Sequence, residues 1–249
     1  MIKMKRQALA GLILFFILSS CDQLRQIAEE LDTPRPLTEQ EVVRGLKQAL
    51  TIGADSAASR LAKRDGYYLD NAVRINLPPE ARVITENISY LPGGVALVQD
   101  IVLRINRAAE EAAREAAPIF ARAVTRMTIQ DGFSILRGED NAATQYLKTN
   151  TYQELYQLYQ PKIGASTEKP IVGNVSTREA WETLTNNWNS VANSTVGRLA
   201  GLTSVNVALD QYLTERALDG LFLKLAEEEK KIRHDPVARV TELLRRVFG

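Results

Sequence analysis

Side chains able to do covalent or metal chemistry are scarce in this 249-residue chain, which has one cysteine, Cys21, and one histidine, His234. A single imidazole excludes multi-histidine zinc sites, and the residues around Cys21 commit its thiol elsewhere, so a Cys–His nucleophile pair is excluded too. A Ser–His–Asp triad would have to use His234. That residue stands before Asp235-Pro236, in a break between predicted helices, and reads as a cation at a helix C-terminus. There is no GxGxxG fingerprint, Walker loop or HExxH, so neither a cofactor nor a metal is implied. Carboxylate and amide chemistry is what remains, and the candidates are Asn106, Glu110, Asp131, Asp140 and Arg233. If two or three of them converge in a cleft, they form a general acid–base pair for a glycan, or an oxygen site for a hard cation. Each also has a structural reading. Asp131 and Asp140 fall in first helical turns, Glu110 forms an exposed i,i+4 pair with Arg114, and Arg233 complements a helix C-terminus. Tyr152, Tyr156 and Tyr159 share one helix face, either a stacking surface for a sugar or peptide or a half-buried packing stripe.

Cys21 carries a different chemistry. Lys3, Lys5 and Arg6 precede an apolar run over residues 8–18, and Leu18-Ser19-Ser20 leads into the cysteine. This order of positive, apolar and small residues is that of a secretory signal whose cleavage site is a lipobox. The run is well short of the roughly 20 apolar residues that a spanning helix needs. Residues 1–20 are therefore expected to be a lipoprotein signal peptide, with cleavage before Cys21 and a diacylglycerol on its sulfur. Two or three acyl chains hold a membrane stably where one does not. The expected location is the bacterial cell envelope, facing the periplasm, and Asp22 favours the inner membrane over the outer. Residues 21–36 read as a lipidated tether that Thr33-Pro34-Arg35-Pro36 keeps from continuing as helix.

Charge narrows the partners. Residues 1–20 hold three cations and no acid, so their removal takes the formal charge from +1 to −2. A near-neutral mixed surface argues against nucleic acid as a partner, and no polybasic patch assists the lipid. The expected partners are the membrane, through the N-terminal lipid, and another envelope protein.

The elements that must position the candidates are helices. Thr38 and Glu41 form a capping box before an apolar series that predicts a helix to about residue 64, stopped by Asp65-Gly66. Val73, Ile75 and Leu77 alternate, which predicts one short extended segment near 73–77 before Pro79 opens another helix. An alanine-rich helix over 95–117 implies close approach of a neighbour, with Pro118 kinking or restarting it. Shorter helices are expected at about 128–137, 139–149 and 152–160, the last opened by a Thr151–Glu154 capping box, followed by a loop through Pro161 and Pro170. Ser176 and Glu179 cap a helix over 177–192, and residues 193–205 are weakly determined. Leu209, Leu213, Ala217, Leu221 and Leu225 mark the strongest helix, and Asp235-Pro236 opens a last one. The fold class is mostly α, a single multi-helix domain over residues 37–249.

Six stretches and the tail carry a resemblance. They are Asp65-Gly66-Tyr67, Ile75-Asn76-Leu77-Pro78, Asn106-Arg107-Ala108-Ala109-Glu110, Met127-Thr128-Ile129-Gln130-Asp131, Ala142-Ala143-Thr144-Gln145-Tyr146 and Ala217-Leu218-Asp219-Gly220-Leu221-Phe222. The tail runs from Glu227 through Asp235-Pro236 to Val247-Phe248-Gly249. Together they resemble a family of bacterial envelope proteins catalogued as a domain of unknown function. Gly132 departs from the pattern, which has alanine there. The resemblance implies a helical, often lipid-anchored envelope domain and supplies no activity or site residues. The leading expectation is a membrane-anchored lipoprotein with a non-catalytic interaction or scaffold domain. The alternatives are a carboxylate-dependent enzyme acting on an envelope glycan, or a helical carrier of an apolar ligand.

Overall fold

The computed structural model describes residues 36–87, 94–172 and 175–249. The signal peptide and most of the tether expected above lie outside the described residues, as does the end of the helix opened by Pro79. The first described helix, α1 (Glu39–Leu61), buries Val43, Leu46, Ala49, Leu50, Ala54, Ala57, Ala58 and Leu61, a stripe at helical spacing. A 3-10 turn with Pro79 in its first turn leads into α2 (Arg82–Asn87).

The alanine-rich segment divides into α3 (Gly94–Ala113) and α4 (Ala116–Arg126). The break comes before Pro118, which sits in the first turn of α4, where its missing N–H has no intrahelical partner to lose. Helix α5 (Ile129–Leu136) opens on a capping box between Thr128 and Asp131. Within it Gly132 faces Val43, where a methyl group would stand 3.0 Å from Cγ2.

The two helices expected over 139–149 and 152–160, and half of the loop after them, are one continuous helix, α6 (Ala142–Thr167). Ala143, Leu147, Thr151, Leu155, Tyr159, Ile163 and Thr167 recur every fourth residue and are all buried. That unbroken stripe outweighs the local cap. Thr151 donates its hydroxyl back to the Leu147 carbonyl at 2.7 Å instead of starting a helix, and the exposed Pro161 is carried within the helix.

A short antiparallel pair, β1 (Pro170–Val172) and β2 (Val175–Ser176), turns the chain into α7 (Thr177–Ala192), which opens on the Ser176–Glu179 capping box. The stretch expected to be weakly determined is ordered by side chains. Ser194 caps α8 (Thr195–Leu199), Trp188 Nε1 donates to the Thr203 carbonyl at 2.9 Å, and the Asn189 amide pairs with both backbone groups of Val205 at 2.7 and 2.9 Å. Helix α9 (Leu209–His234) buries the predicted leucine stripe. Asp235 then caps a 3-10 turn, and α10 (Glu242–Phe248) closes the chain.

Helix α9 packs against both α1 and α6, α3 packs on α6, α4 joins α1 to α6, and α10 lies on α1. The chain is a mostly α, single helical domain, as the sequence predicts. Two glycines mark how tightly α9 meets its neighbours. A methyl at Gly220 would stand 2.9 Å from Tyr67 Cε1 and 3.1 Å from Val73 Cβ, whereas at Gly53 the nearest atom is 3.5 Å away. Gly53→Ala is therefore expected to raise stability by up to about 1 kcal/mol through helix propensity. Gly220→Ala loses the same gain to overpacking that costs about 1–3 kcal/mol. Thermal melts of the two variants check this, with opposite shifts expected.

Candidate functional site

One turn of α3 presents Asn106, Arg107 and Glu110 to the non-helical residues 65–77. The Asn106 side chain is fully buried. Its Oδ1 accepts the Ile75 N–H at 2.9 Å, while Nδ2 donates to the Ile75 carbonyl at 2.8 Å and to the Val102 carbonyl at 2.7 Å. The amide thus pairs with Ile75 as a neighbouring strand would. That explains how a segment assigned to neither helix nor strand keeps its buried peptide groups paired inside a helical domain. Glu110, expected to be an exposed partner of Arg114, is instead buried. Its Oε1 accepts the N–H groups of Tyr67 and Tyr68, both at 3.3 Å, and its Oε2 accepts from Arg107 Nη1 at 2.6 Å. Arg107 Nη2 reaches Asp65 Oδ1 at 2.6 Å.

Asp65, in the turn four residues beyond the end of α1, has a φ of 69°, the left-handed conformation. Gly66 then passes so close to that helix end that a methyl would meet the Arg60 and Leu61 carbonyl oxygens at 2.5 Å. Tyr67 is buried and donates its hydroxyl to the Ala217 carbonyl at 2.8 Å, and burial holds its ionisation far above the ordinary range. Three stretches separated in sequence form a single clamp.

The remaining candidates lie elsewhere. Arg233 donates to Glu229 Oε1 at 2.8 Å and to the Ile135 carbonyl at 2.9 Å. Glu229, buried on α9, accepts the N–H groups of Ala143 and Thr144 at 3.0 and 2.8 Å and the Thr144 hydroxyl at 2.8 Å. It caps α6, whose own N-cap residue, Asn141, makes no side-chain cap. Asp140 pairs with His234 Nε2 at 2.7 Å on the surface, and that bond holds its carboxyl below the ordinary range. Asp131 caps its own helix and is held low by the Thr128 N–H. The structure therefore brings Asn106 and Glu110 together, and Arg233 near Asp140, and leaves Asp131 apart from either group. Each acid or amide is engaged in holding backbone or a cation. In the tyrosine stripe, Tyr159 is fully buried, and the half-buried Tyr152 ring lies 6.3 Å from both Tyr156 and Phe222, as a packing face does. The void between α1, α6 and α9 measures about 20 Å³, room for a water molecule and not for an apolar ligand.

An open cleft of about 520 Å³ lies where the end of α1, the clamped loop and α9 meet. Its lining includes Arg60, Lys63, Arg64, Asp70, Asn71 and Lys224. Lys224 is 5% exposed, and its Nζ bonds Asp70 Oδ2 at 2.8 Å and Glu227 Oε1 at 2.9 Å. Burial opposes its charge, but the two carboxylates outweigh burial and raise its pKa. The same bond to Lys224 lowers that of Asp70. The ammonium is no free-base nucleophile and Asp70 is no general acid, so this pair binds charge and does not transfer protons. Sequence reasoning missed this cleft. Two signals were present: a lysine between Leu221, Phe222 and Leu225, and cations at 60, 63 and 64, an i, i+3, i+4 set.

Asn106→Leu leaves both Ile75 backbone groups unpaired and is expected to destabilise by about 2–4 kcal/mol in denaturant titrations. Asp70 has a lowered pKa, so its contribution is present above the ordinary carboxylate range and is lost as pH falls through the lowered value. Asp70→Asn should lower the melting temperature at pH 7 and flatten its decline in acid, as read by melts across that range.

No described helix is long and apolar enough to cross a membrane, and no group of three or more potential metal-binding side chains occurs among the described residues. No curated protein and no solved structure matches the chain. Residues 36–249, which include the clamp, the α6 cap and the cleft, match the family described as protein of unknown function DUF4197. The chain belongs to the DUF4197 family.

Proposed function

We propose that this chain is a lipid-anchored protein of the bacterial envelope whose helical domain binds an envelope partner without transforming it. The observation that carries the non-catalytic reading is the engagement of the candidate acids. Glu110 and Glu229 are turned onto backbone N–H groups, Asp131 onto its own helix start, and Asp140 onto His234. A glycan-cleaving pair needs one carboxyl group kept protonated. Asp131, Asp140 and Asp70 are all shifted the other way.

The anchor reading rests on Leu18-Ser19-Ser20-Cys21 and the charged, apolar leader before it. Acylated Cys21 would hold the domain at the membrane surface, facing the periplasm, with Asp22 favouring the inner membrane. The presented surface is the clamped loop, whose rigid backbone holds Leu69 68% exposed at the rim of the cleft.

Mass spectrometry of the native protein should find an N-terminal Cys21 bearing diacylglycerol and an added acyl chain; an uncut leader or a bare thiol overturns the anchor. A photo-crosslinking residue at Leu69 should give a discrete adduct in living cells, and the same residue at the exposed Gln130 should not. Equal labelling at both positions, or turnover of peptidoglycan by the purified protein, removes the binding reading.

A further inference from the structure

Arg60 in the last turn of α1, and Lys63 and Arg64 just beyond its end, line the cleft together with Asn71 and the nearly buried Lys224. Among the described residues, neither Lys63 nor Arg64 forms an ion pair. Arg60 does, at 2.8 Å to Glu228 and 3.7 Å to Glu227. Both of those acids hold a second cation, however: Lys231 lies 2.7 Å from Glu228, and Lys224 lies 2.9 Å from Glu227. Arg60 is therefore free to turn into the cleft without stranding a buried charge. The opposite wall cannot follow it, because Asp65 is tied to Arg107 and Asp70 to Lys224.

Gathering cations at a helix C-terminus is favourable by itself, since the helix dipole is negative there. Two features go beyond that need. One is the concavity of about 520 Å³ that the three residues line. The other is the rigid far wall, fixed by the Glu110 and Arg107 bonds to residues 65–68. Two guanidinium forks and an ammonium suit a tetrahedral, multiply charged oxyanion better than a single carboxylate.

We infer that this cleft is a phosphate-binding site, in which Arg60, Lys63 and Arg64 hold the phosphate oxygens and Asn71 bonds an oxygen at the rim. The inference rests on reading the cleft as a binding surface. The phosphate group belongs either to a soluble ligand or to a phospholipid headgroup, and the two sources are separable. The full chain in nonionic detergent is titrated calorimetrically with inorganic phosphate, and separately with the same micelles doped with phosphatidylglycerol.

Saturable binding in the first titration identifies a soluble phosphate, and binding in the second alone identifies a headgroup. In either case, Lys63→Gln/Arg64→Gln should weaken binding at least tenfold, and raising the salt concentration should weaken it further. Among the described residues neither side chain has an ion pair to lose, so the double variant should give up only the helix-end contribution of each cation and remain folded in thermal melts. Absence of saturable binding in both titrations overturns the inference, as does binding that the double variant leaves unchanged. Release of phosphate from p-nitrophenyl phosphate by the same sample would overturn the non-catalytic reading while leaving the bound phosphate group in place.

Discussion

The constraint on which this domain turns is the pairing of buried peptide groups in a segment that is not helical. Within a helix each N–H finds its own carbonyl four residues back, and in a sheet the neighbouring strand supplies both partners. Residues 65–77 have only isolated turn bonds, such as those from the Leu69 and Arg74 N–H groups to the Asp65 and Asp70 carbonyls, yet Tyr67, Val73 and Ile75 are buried. Asn106 and Glu110 resolve this from one face of α3, the amide by donating and accepting at Ile75, the carboxylate by taking two consecutive N–H groups. Asn106 accepts once and donates twice, and an amide offers two N–H donors and an acceptor in one uncharged group where a hydroxyl has a single donor. The floor of the cleft, the end of α1 and the contact with α9 at Gly220 all inherit their positions from that arrangement.

Much of the fold is legible in the sequence because helices in this domain are defined by what they bury. The leucine series of α9 and the capping box of α7 fall where spacing and cap chemistry put them, while α1 ends at Leu61, three residues short of the expected end. Where the reading departs, local and long-range signals compete. Thr151 and Pro161 each look like boundaries over a few residues, but the four-residue burial stripe of α6 crosses both. Residues 193–205 look undirected because their order comes from Trp188 and Asn189, side chains whose targets lie some fifteen residues away.

The candidate site was legible in its parts and not in its assembly. Asn106 and Glu110 stand out as polar residues on an apolar helix face, but spacing alone assigns Glu110 to Arg114. Only the folded chain shows that the partner is backbone 42 or 43 residues earlier. Asp140 and Arg233 come together for the same reason, through contacts between helices that no short window contains. The cleft depends on three separate segments of chain, and its central lysine is recognisable only once Asp70 and Glu227 are seen on either side of it. A buried ammonium with two carboxylates is costly to desolvate, and it holds its geometry because removing any one member strands the others.

The cap on α6 orders events during synthesis. Its carboxylate, Glu229, belongs to a helix translated 85 and 86 residues after the N–H groups it satisfies, and Arg233 ties back to a carbonyl 98 residues upstream. A nascent chain that has emerged from the ribosome only as far as α8 has a frayed α6 and an unfilled core. The closing lock therefore forms only after α9 has been made. A polypeptide built this way leaves the start of α6 uncapped until a helix far downstream exists to supply the carboxylate.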